Sequence, residues 1–301
     1  MRFKKLDLNL LVALDHMIEL RSVSAAADKM FMSQSAMSNA LTRLRDYFDD
    51  PLLVQVGRRM EITPRAESMR PAIRDILVRI EATIDTQPEF RPEVSTRVFN
   101  VLLSDYSLRV FMPIVFRLLN EQKSTIRINL HAQTDAPHTL LERGEIDFLL
   151  TPEMFMSGEH PATALFEDEY VAVAWAKGKY GTGTLDKATY CTAPHAVMVP
   201  PNAAKSLETS MLVKAGVERN VDVQSFSLST LPHLITGTNR IATIHKRLAK
   251  LVAKQADLVI HPIPVPLPHL RQMLQSHAYR DHDPGIIWLR DLFHQAAEQL
   301  P

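Results

Sequence analysis

The sequence is poor in the features that usually carry covalent or redox chemistry. Cys191 is the one cysteine among 301 residues. A single thiol forms no internal disulfide and no Cys-x-x-Cys pair for metal or redox work, so Cys191 reads as a small packed residue. No stretch approaches the roughly 18 consecutive apolar residues of a membrane-spanning helix. The start, Met1-Arg-Phe-Lys-Lys, resembles a basic leader, but Asp7, Asn9 and Asp15 interrupt the apolar core that should follow. The expected location is therefore the cytoplasm, with no membrane partner. Neither sign of charge is in excess, since 34 Lys and Arg balance 34 Asp and Glu. That balance argues against a polyanion-binding surface over the whole chain, while a local one needs only a few phosphate contacts. There is no His-Glu-x-x-His, no Gly-x-Ser-x-Gly and no Walker loop. The cluster Gly178-Lys-Tyr-Gly-Thr-Gly183 does not match a dinucleotide fingerprint. Catalysis, a cofactor and a metal are not expected. What remains is an ordinary globular balance, 46% hydrophobic and 23% charged, in a chain long enough for two or three folding units.

The first 62 residues read as a winged helix-turn-helix. Leu8, Leu11, Leu14 and Ile18 recur every three or four residues, which predicts an amphipathic helix over Asp7 to Leu20. Ser22 and Ser24 offer N-caps for a short helix over Ala25 to Met30, whose alanines suit a close helix approach. After a turn at Phe31 and Met32, Ser33 caps a third helix reaching Phe48. Met37, Ala40, Leu41, Leu44 and Phe48 make its apolar stripe. Gln34, Ser35, Ser38, Asn39 and Thr42 fall on another face. Short uncharged hydrogen-bonding side chains suit base edges and phosphates at close range, whereas a solvated surface helix more often carries Glu and Lys there. Ser33, Gln34, Ser35, Ser38, Asn39, Thr42 and Arg43 are the candidate DNA contacts of this helix. Leu52 to Val56 and Met60 to Ile62 flank a turn at Gly57-Arg58-Arg59, a wing whose Arg58 and Arg59 are placed to reach phosphates. A dimer docking such a helix in the major groove implies double-stranded DNA with an inverted-repeat operator.

Leu6-Asp-Leu-Asn-Leu-Leu11, Ser24-Ala-Ala-Ala27, Ser33-Gln-Ser-Ala-Met-Ser-Asn-Ala-Leu-Thr-Arg-Leu-Arg45 and Thr63-Pro-Arg-Ala66 resemble the LysR-type transcriptional regulators. The nearest subset by these motifs holds the nodulation-gene regulators and the regulators of naphthalene, nitrotoluene and chlorinated-aromatic degradation. The family commonly has proline where this chain has Ser35, at the start of the recognition helix.

Thr63 followed by Pro64 reads as N-cap and first helical residue of a linker helix over residues 63–87. Met69, Ile73, Ile76, Ile80 and Thr83 alternate four and three apart, a coiled-coil seam with Leu77 and Ile84 beside it. The seam predicts a homodimer, with a homotetramer as a family habit. The alternative is packing within the same chain. Residues 88–95, with Pro88 and Pro92, form a hinge.

From residue 96 strands and helices alternate, and the βαβαβ order from Val98 to Leu150 implies a parallel sheet. Residues 96–167 and 269–301 make a first lobe, and residues 168–268 a second. In His261-Pro-Ile-Pro-Val-Pro-Leu-Pro268, proline at alternate positions forces an extended crossover between them. Gly144-Glu-Ile-Asp-Phe-Leu-Leu150 and His277-Ala-Tyr-Arg-Asp-His-Asp-Pro-Gly-Ile-Ile-Trp-Leu-Arg290 resemble the same family, the second segment its aromatic-responsive subset. The implied class is α+β multidomain: winged helix-turn-helix, linker helix, and a two-lobed α/β effector domain of periplasmic-binding-protein type.

Ligands of open α/β sheets lie beyond the carboxyl ends of the strands. The first strand ends at Ser104, Asp105 and Tyr106. The resemblance adds Phe111, Pro200, Asn202, Phe226, Ser227, His233, His277 and Tyr279. Rings joined to a few polar groups suit a small aromatic effector: a phenol, hydroquinone, salicylate-like acid or flavonoid. The resulting expectation is a ligand-responsive activator of aromatic-catabolism genes that works with RNA polymerase. A regulator that is constitutive or senses a non-aromatic metabolite is the alternative. A transport-type binding protein is disfavoured by the extra N-terminal residues.

Overall fold

The computed structural model describes residues 6–57, 59–84, 89–200 and 206–301, and of Glu81 the backbone alone. Arg58 and Asn202 therefore lie outside the described residues. The chain divides into two compact units, Met1–Thr86 and Gln87–Pro301.

The first unit begins with α1 (Leu8–Leu20), α2 (Val23–Lys29) and α3 (Gln34–Phe48). Each starts at a side-chain cap. Asp7 accepts from the Asn9 amide at 3.0 Å, Ser22 from the Ala25 amide at 3.2 Å, and Ser33 from the Ala36 amide at 3.2 Å. Satisfying the orphan amides of the first turn is what fixes these starts. The cap of α2 is Ser22 alone; Ser24 is already inside the helix. Ala26 and Ala27 are fully buried, so α2 sits backbone-close to its neighbours. Met37, Ala40, Leu41 and Leu44 bury the inner stripe of α3.

A hairpin of β1 (Leu53–Val56) and β2 (Arg59–Ile62) follows, then α4 (Pro64–Ile84). Gly57 takes φ +63° at the hairpin tip, a backbone conformation that glycine adopts without steric cost. The apolar stripe of α4 is divided. Ile73 and Leu77 are buried in the unit's own core, and Met69 packs against it. Ile76 and Ile84 stay exposed, and Ile80 is half-buried. Ile73 is thus corrected from a partner-facing to an intrachain position. The packing of α4 on α1, which the periodicity could not report, takes up this part of the stripe.

Asp15 is buried on α1 and pairs with Arg74 of α4. A buried carboxylate needs such a partner, and removing one side strands a charge at a cost of several kcal/mol. Arg74→Ala should lower the unfolding free energy of this unit by on the order of 3 kcal/mol. The denaturant midpoint measures it. An unchanged midpoint would show that the pair does not hold α4 to α1.

The second unit contains β3 (Val98–Leu103), α5 (Asp105–Val110), α6 (Met112–Glu121), β4 (Arg127–Ala132), α7 (Pro137–Glu142), β5 (Phe148–Pro152) and β6 (Ala162–Asp168). It goes on with β7 (Tyr170–Trp175), α8 (Lys187–Thr192), β8 (Pro194–Met198), α9 (Leu207–Lys214), β9 (Asn220–Ser225), α10 (Leu231–Ile235) and β10 (Ile241–His245). The last elements are α11 (Lys246–Val252), β11 (Leu258–Pro262), β12 (Leu270–Ser276) and α12 (Pro284–Glu298). They build two sheets, ordered β4-β3-β5-β12-β6 and β11-β7-β10-β8-β9.

The βαβαβ stretch from Val98 to Leu150 is parallel, as its order implies, and antiparallel strands from elsewhere in the chain complete each sheet. In the first lobe, β3 runs parallel to β4 and β5, but β12 is antiparallel to both β5 and β6. The reason is the double crossover. Strand β6 leads through Glu169 into β7 of the second lobe, and β12 returns from that lobe. Strand β6 therefore runs with the grain of β3 and β5, and β12 alone runs against it. Pro262 ends β11, an edge strand, where a missing ladder N–H is tolerated.

Between β3 and β4 the chain forms two helices, α5 and α6, with a break at Phe111. Phe111 departs to φ −101°, and α6 restarts with Pro113 in its first turn, where the absent N–H is harmless. The break turns Phe111 fully inward, against Phe166 at 5.6 Å and Phe293 of α12 at 5.9 Å between ring centroids.

Candidate functional site

The recognition face of α3 is open. Gln34, Ser35, Ser38, Asn39, Thr42 and Arg43 are all exposed, opposite the buried stripe. Ser35 is the second helical residue, and its hydroxyl lies 3.0 Å from the Ser33 hydroxyl. A proline there would leave the helix intact, because no intrahelical partner is lost in the first turn. Thr42 donates to the Ser38 carbonyl at 3.1 Å, which leaves its hydroxyl oxygen to accept.

Two residues that sequence reasoning passed over position the wing. Arg45, half-buried at the end of α3, donates to the carbonyls of Pro51 at 2.8 Å and Leu53 at 2.7 Å. Asp50 accepts from the Leu52 amide and the Thr63 hydroxyl, each at 2.7 Å. The hydrogen bond from Thr63, then that from Leu52, holds the Asp50 carboxyl below its usual range. Thr63 also caps α4 by accepting from the Ala66 amide at 3.1 Å. Recognition helix, wing and linker helix are thereby tied through two side chains. Arg59 is exposed at the start of β2.

The second candidate site is the gap between the lobes. The carboxyl ends of β3 and β5 face it from the first lobe. Those of β8, β9 and β10 face it from the second, with β7 starting there. Ser104 and Asp105 are in place, but Ser104 is committed as the cap of α5, accepting from the Ser107 amide at 3.1 Å. Asp105 reaches across. One of its oxygens accepts from the Ser227 hydroxyl at 2.7 Å and the Ser229 amide at 2.9 Å. Ser227 belongs to the gap, as the sequence suggested, and half-buried Pro200 follows β8 at the same end.

Tyr106 is buried and donates to Asp168 at 2.5 Å. Burial, then the Asp168 charge, pushes its phenol far up. Its ring centroid lies 4.3 Å from that of His245 at a tilt of 55°, and His245 lies 4.6 Å from Tyr170 at a tilt of 42°. Neither His245 nor Tyr170 stood out in the sequence. The signal available was a histidine closing the apolar strand Ile241-Ala-Thr-Ile-His245. Burial holds the His245 imidazole down to about 3, only partly opposed by the Asp105 charge.

Of the other expected contacts, three lie away from the gap. Phe111 is core. His277 and Tyr279 follow β12, whose antiparallel course puts Ser276 beside Phe148 at the start of β5, the end of the sheet away from the gap. There His277 stacks on His160 at 4.2 Å. His233 is exposed on α10. Phe226 is 85% exposed, immediately before Ser227. The glycine cluster is structural: a Cβ on Gly181 would meet the Ala176 carbonyl at 2.0 Å. Among the described residues no metal-ligand cluster occurs.

A winged helix-turn-helix with an open, mostly uncharged recognition face, followed by a two-lobed α/β unit, defines a DNA-binding transcription regulator with a C-terminal ligand domain. Residues 8–67 match the bacterial regulatory helix-turn-helix model of the lysR family, and residues 93–298 match the LysR substrate binding domain model. The chain belongs to the LysR family of transcription regulators. It is 38% identical over 301 residues to nodulation protein D 1 of Mesorhizobium japonicum, covering all of this chain and 96% of that one. It is 37% identical to nodulation protein D 1 of Rhizobium meliloti, covering all of this chain and 98% of the other. Among solved structures, the "probable transcriptional regulator" from Pseudomonas aeruginosa matches with TM-score 0.66 at 29% identity, over 97% of this chain and 98% of its own. ArgP from Mycobacterium tuberculosis shares the fold at TM-score 0.71 and 17% identity, over 98% and 99% of the two chains. The relatives are regulators, not enzymes.

His245 and His195 bear on stability. Burial holds His195 down to about 4, and its Nε2 lies 2.7 Å from the Tyr190 carbonyl. The unfolded imidazoles take up protons near pH 6.5 and the folded ones do not, so stability is complete above that pH and falls as pH drops towards 4. Each histidine should contribute a slope of about 1.4 kcal/mol per pH unit in that window. Urea unfolding at pH 7.5 and 5.0 reads it, and His245→Phe should remove its share of the difference. An unaltered slope in the variant would contradict a buried neutral His245.

Proposed function

We propose that the chain is a ligand-responsive activator that holds a small aromatic effector between the lobes of its C-terminal unit and controls genes of aromatic-compound catabolism. The observation that carries this reading is the ring stack at the gap. Tyr106 of one lobe and Tyr170 and His245 of the other meet at 4.3 and 4.6 Å, beside the polar groups of Asp105 and Ser227. A flat ring bearing hydroxyl groups suits such a mixture. The effector class is a phenol, hydroquinone, salicylate-like acid or flavonoid. The resemblance to nodulation and aromatic-degradation regulators supports the same class.

The protein acts as a homodimer, able to pair into a homotetramer, on an inverted-repeat operator in the cytoplasm, and recruits RNA polymerase. Gln34, Ser35, Ser38, Asn39, Thr42 and Arg43 contact the duplex from α3, while Ser33 caps that helix. Arg58 and Arg59 reach phosphates from the wing. The linker contact uses the exposed Ile76 and Ile84 with Ile80. The effector favours one closure state of the lobes, and that preference is passed to the linker helix as a population shift.

Asn39→Ala should abolish discrimination between operator and random DNA while the fold survives; normal operator shifts by the variant would remove α3 from base readout. Ile76→Asp with Ile84→Asp should break the linker contact, read as a lower mass in sedimentation; an unchanged mass would place the dimer contact elsewhere. Calorimetry with phenols, benzoates and flavonoids tests the effector class. Binding of at least one is expected. Binding of only an amino acid or a sugar acid would overturn it.

A further inference from the structure

We propose that His245 is the polar anchor for the effector, and that Asp105 across the gap restricts that effector to uncharged, hydroxyl-bearing rings. The inference rests on the interlobe cleft being the effector site.

His245 is 7% exposed, and its Nδ1 is buried without a hydrogen-bond partner. A polar atom in that state carries a desolvation penalty that the structure leaves uncompensated. Polar groups around it are already bonded elsewhere. The Tyr106 hydroxyl is committed to Asp168 at 2.5 Å. Asp168 also takes the Glu169 amide at 2.8 Å and the Arg247 amide at 3.2 Å. Asp105 is held by Ser227 and Ser229 of the second lobe. Tyr170 presents its ring to the histidine.

The chemistry of the ligand follows from what is already filled. Two donors at the gap that could bind a carboxylate, Ser227 Oγ and the Ser229 amide, are occupied by the protein's own Asp105. A second carboxylate would meet their acceptor, not a free donor, and would lie beside a like charge in a partly buried gap. A hydroxyl has no such conflict. It donates and accepts, so it pairs with Nδ1 in either tautomer of the neutral imidazole, whereas a carboxylate can only accept. The ring that carries the hydroxyl extends the stack of Tyr106, His245 and Tyr170.

The test titrates the full-length protein by calorimetry with hydroquinone, 7-hydroxyflavone, their O-methyl ethers and benzoate. Wild type should bind at least one hydroxylated ring, and its ether at least tenfold more weakly. Benzoate should bind at least tenfold more weakly than that ring. His245→Phe should lose about tenfold for the hydroxylated ring and no longer distinguish it from its ether. Asp105→Asn should strengthen benzoate binding by at least tenfold and leave the hydroxylated ring within about threefold. Should His245→Phe fail to fold, the 15N spectrum of wild-type histidine rings gives the answer, since Nδ1 of His245 should shift on adding the hydroxylated ring. Equal affinity of His245→Phe and wild type, an unmoved Nδ1, or benzoate bound as well as the phenol would each overturn the proposal while the aromatic cleft stood. Failure of every aromatic to bind wild type would overturn both.

Discussion

The Asp105 carboxylate is the contact on which the second unit's behaviour turns. It stands at the end of β3 in one lobe and accepts two hydrogen bonds from the Ser227–Ser229 segment of the other. Charge-assisted hydrogen bonds of this kind are stronger than neutral ones, and here they span the two lobes. A ligand entering between the lobes must coexist with this bridge or replace it. Tyr106 adds a second link, from α5 to Asp168 at the crossover strand. Strands β6 and β12 lie side by side and meet the second lobe at the same edge. The lobes therefore have a natural axis at the crossovers and a polar catch at the gap, which is the arrangement a two-state element needs.

In the first unit the corresponding role falls to Arg45, Asp50 and Thr63. None of them faces outward as a readout group. They bind carbonyls, an amide and each other, so α3, the wing and the start of α4 are held together by side-chain bonds. Readout residues can then be short and uncharged, because their placement is decided by the neighbours they do not themselves contact. The pair of Asp15 and Arg74 continues this linkage along α4, and the intrachain burial of Ile73 and Leu77 completes it.

How much of this was legible in the sequence follows from the range of the interactions. Helix starts at Asp7, Ser22 and Ser33 depend on a cap and an amide two or three residues away, and the pattern of short polar residues on α3 is equally local. The Pro-rich crossover is legible because proline restricts its own backbone. Strand direction is not local. His277 and Tyr279 were expected at the gap from the family resemblance, and they lie at the lobe's other end because β12 enters from the gap side. Phe111 was expected at the gap from the resemblance, and the helix break before Pro113 turns its ring into the core. His245 was silent for the opposite reason: its meaning comes from Tyr106, 139 positions away in sequence, and from an Asp105 charge that no spacing rule relates to it. The stripe on α4 was read correctly as apolar, but periodicity does not say which neighbour covers each turn.

The central claim is that a small aromatic binds between the lobes and shifts their closure. Amide hydrogen exchange of the full-length protein, with and without a hydroxylated aromatic at saturating concentration, tests it most directly. Exchange reads the opening free energy of each segment separately, so it locates the ligand as well as detecting it. The account predicts slowed exchange confined to residues 104–110, 168–172, 225–231 and 243–247, with a further change along α4. Protection at residues 277–283, or no change at the four segments while the compound is demonstrably bound, would contradict it.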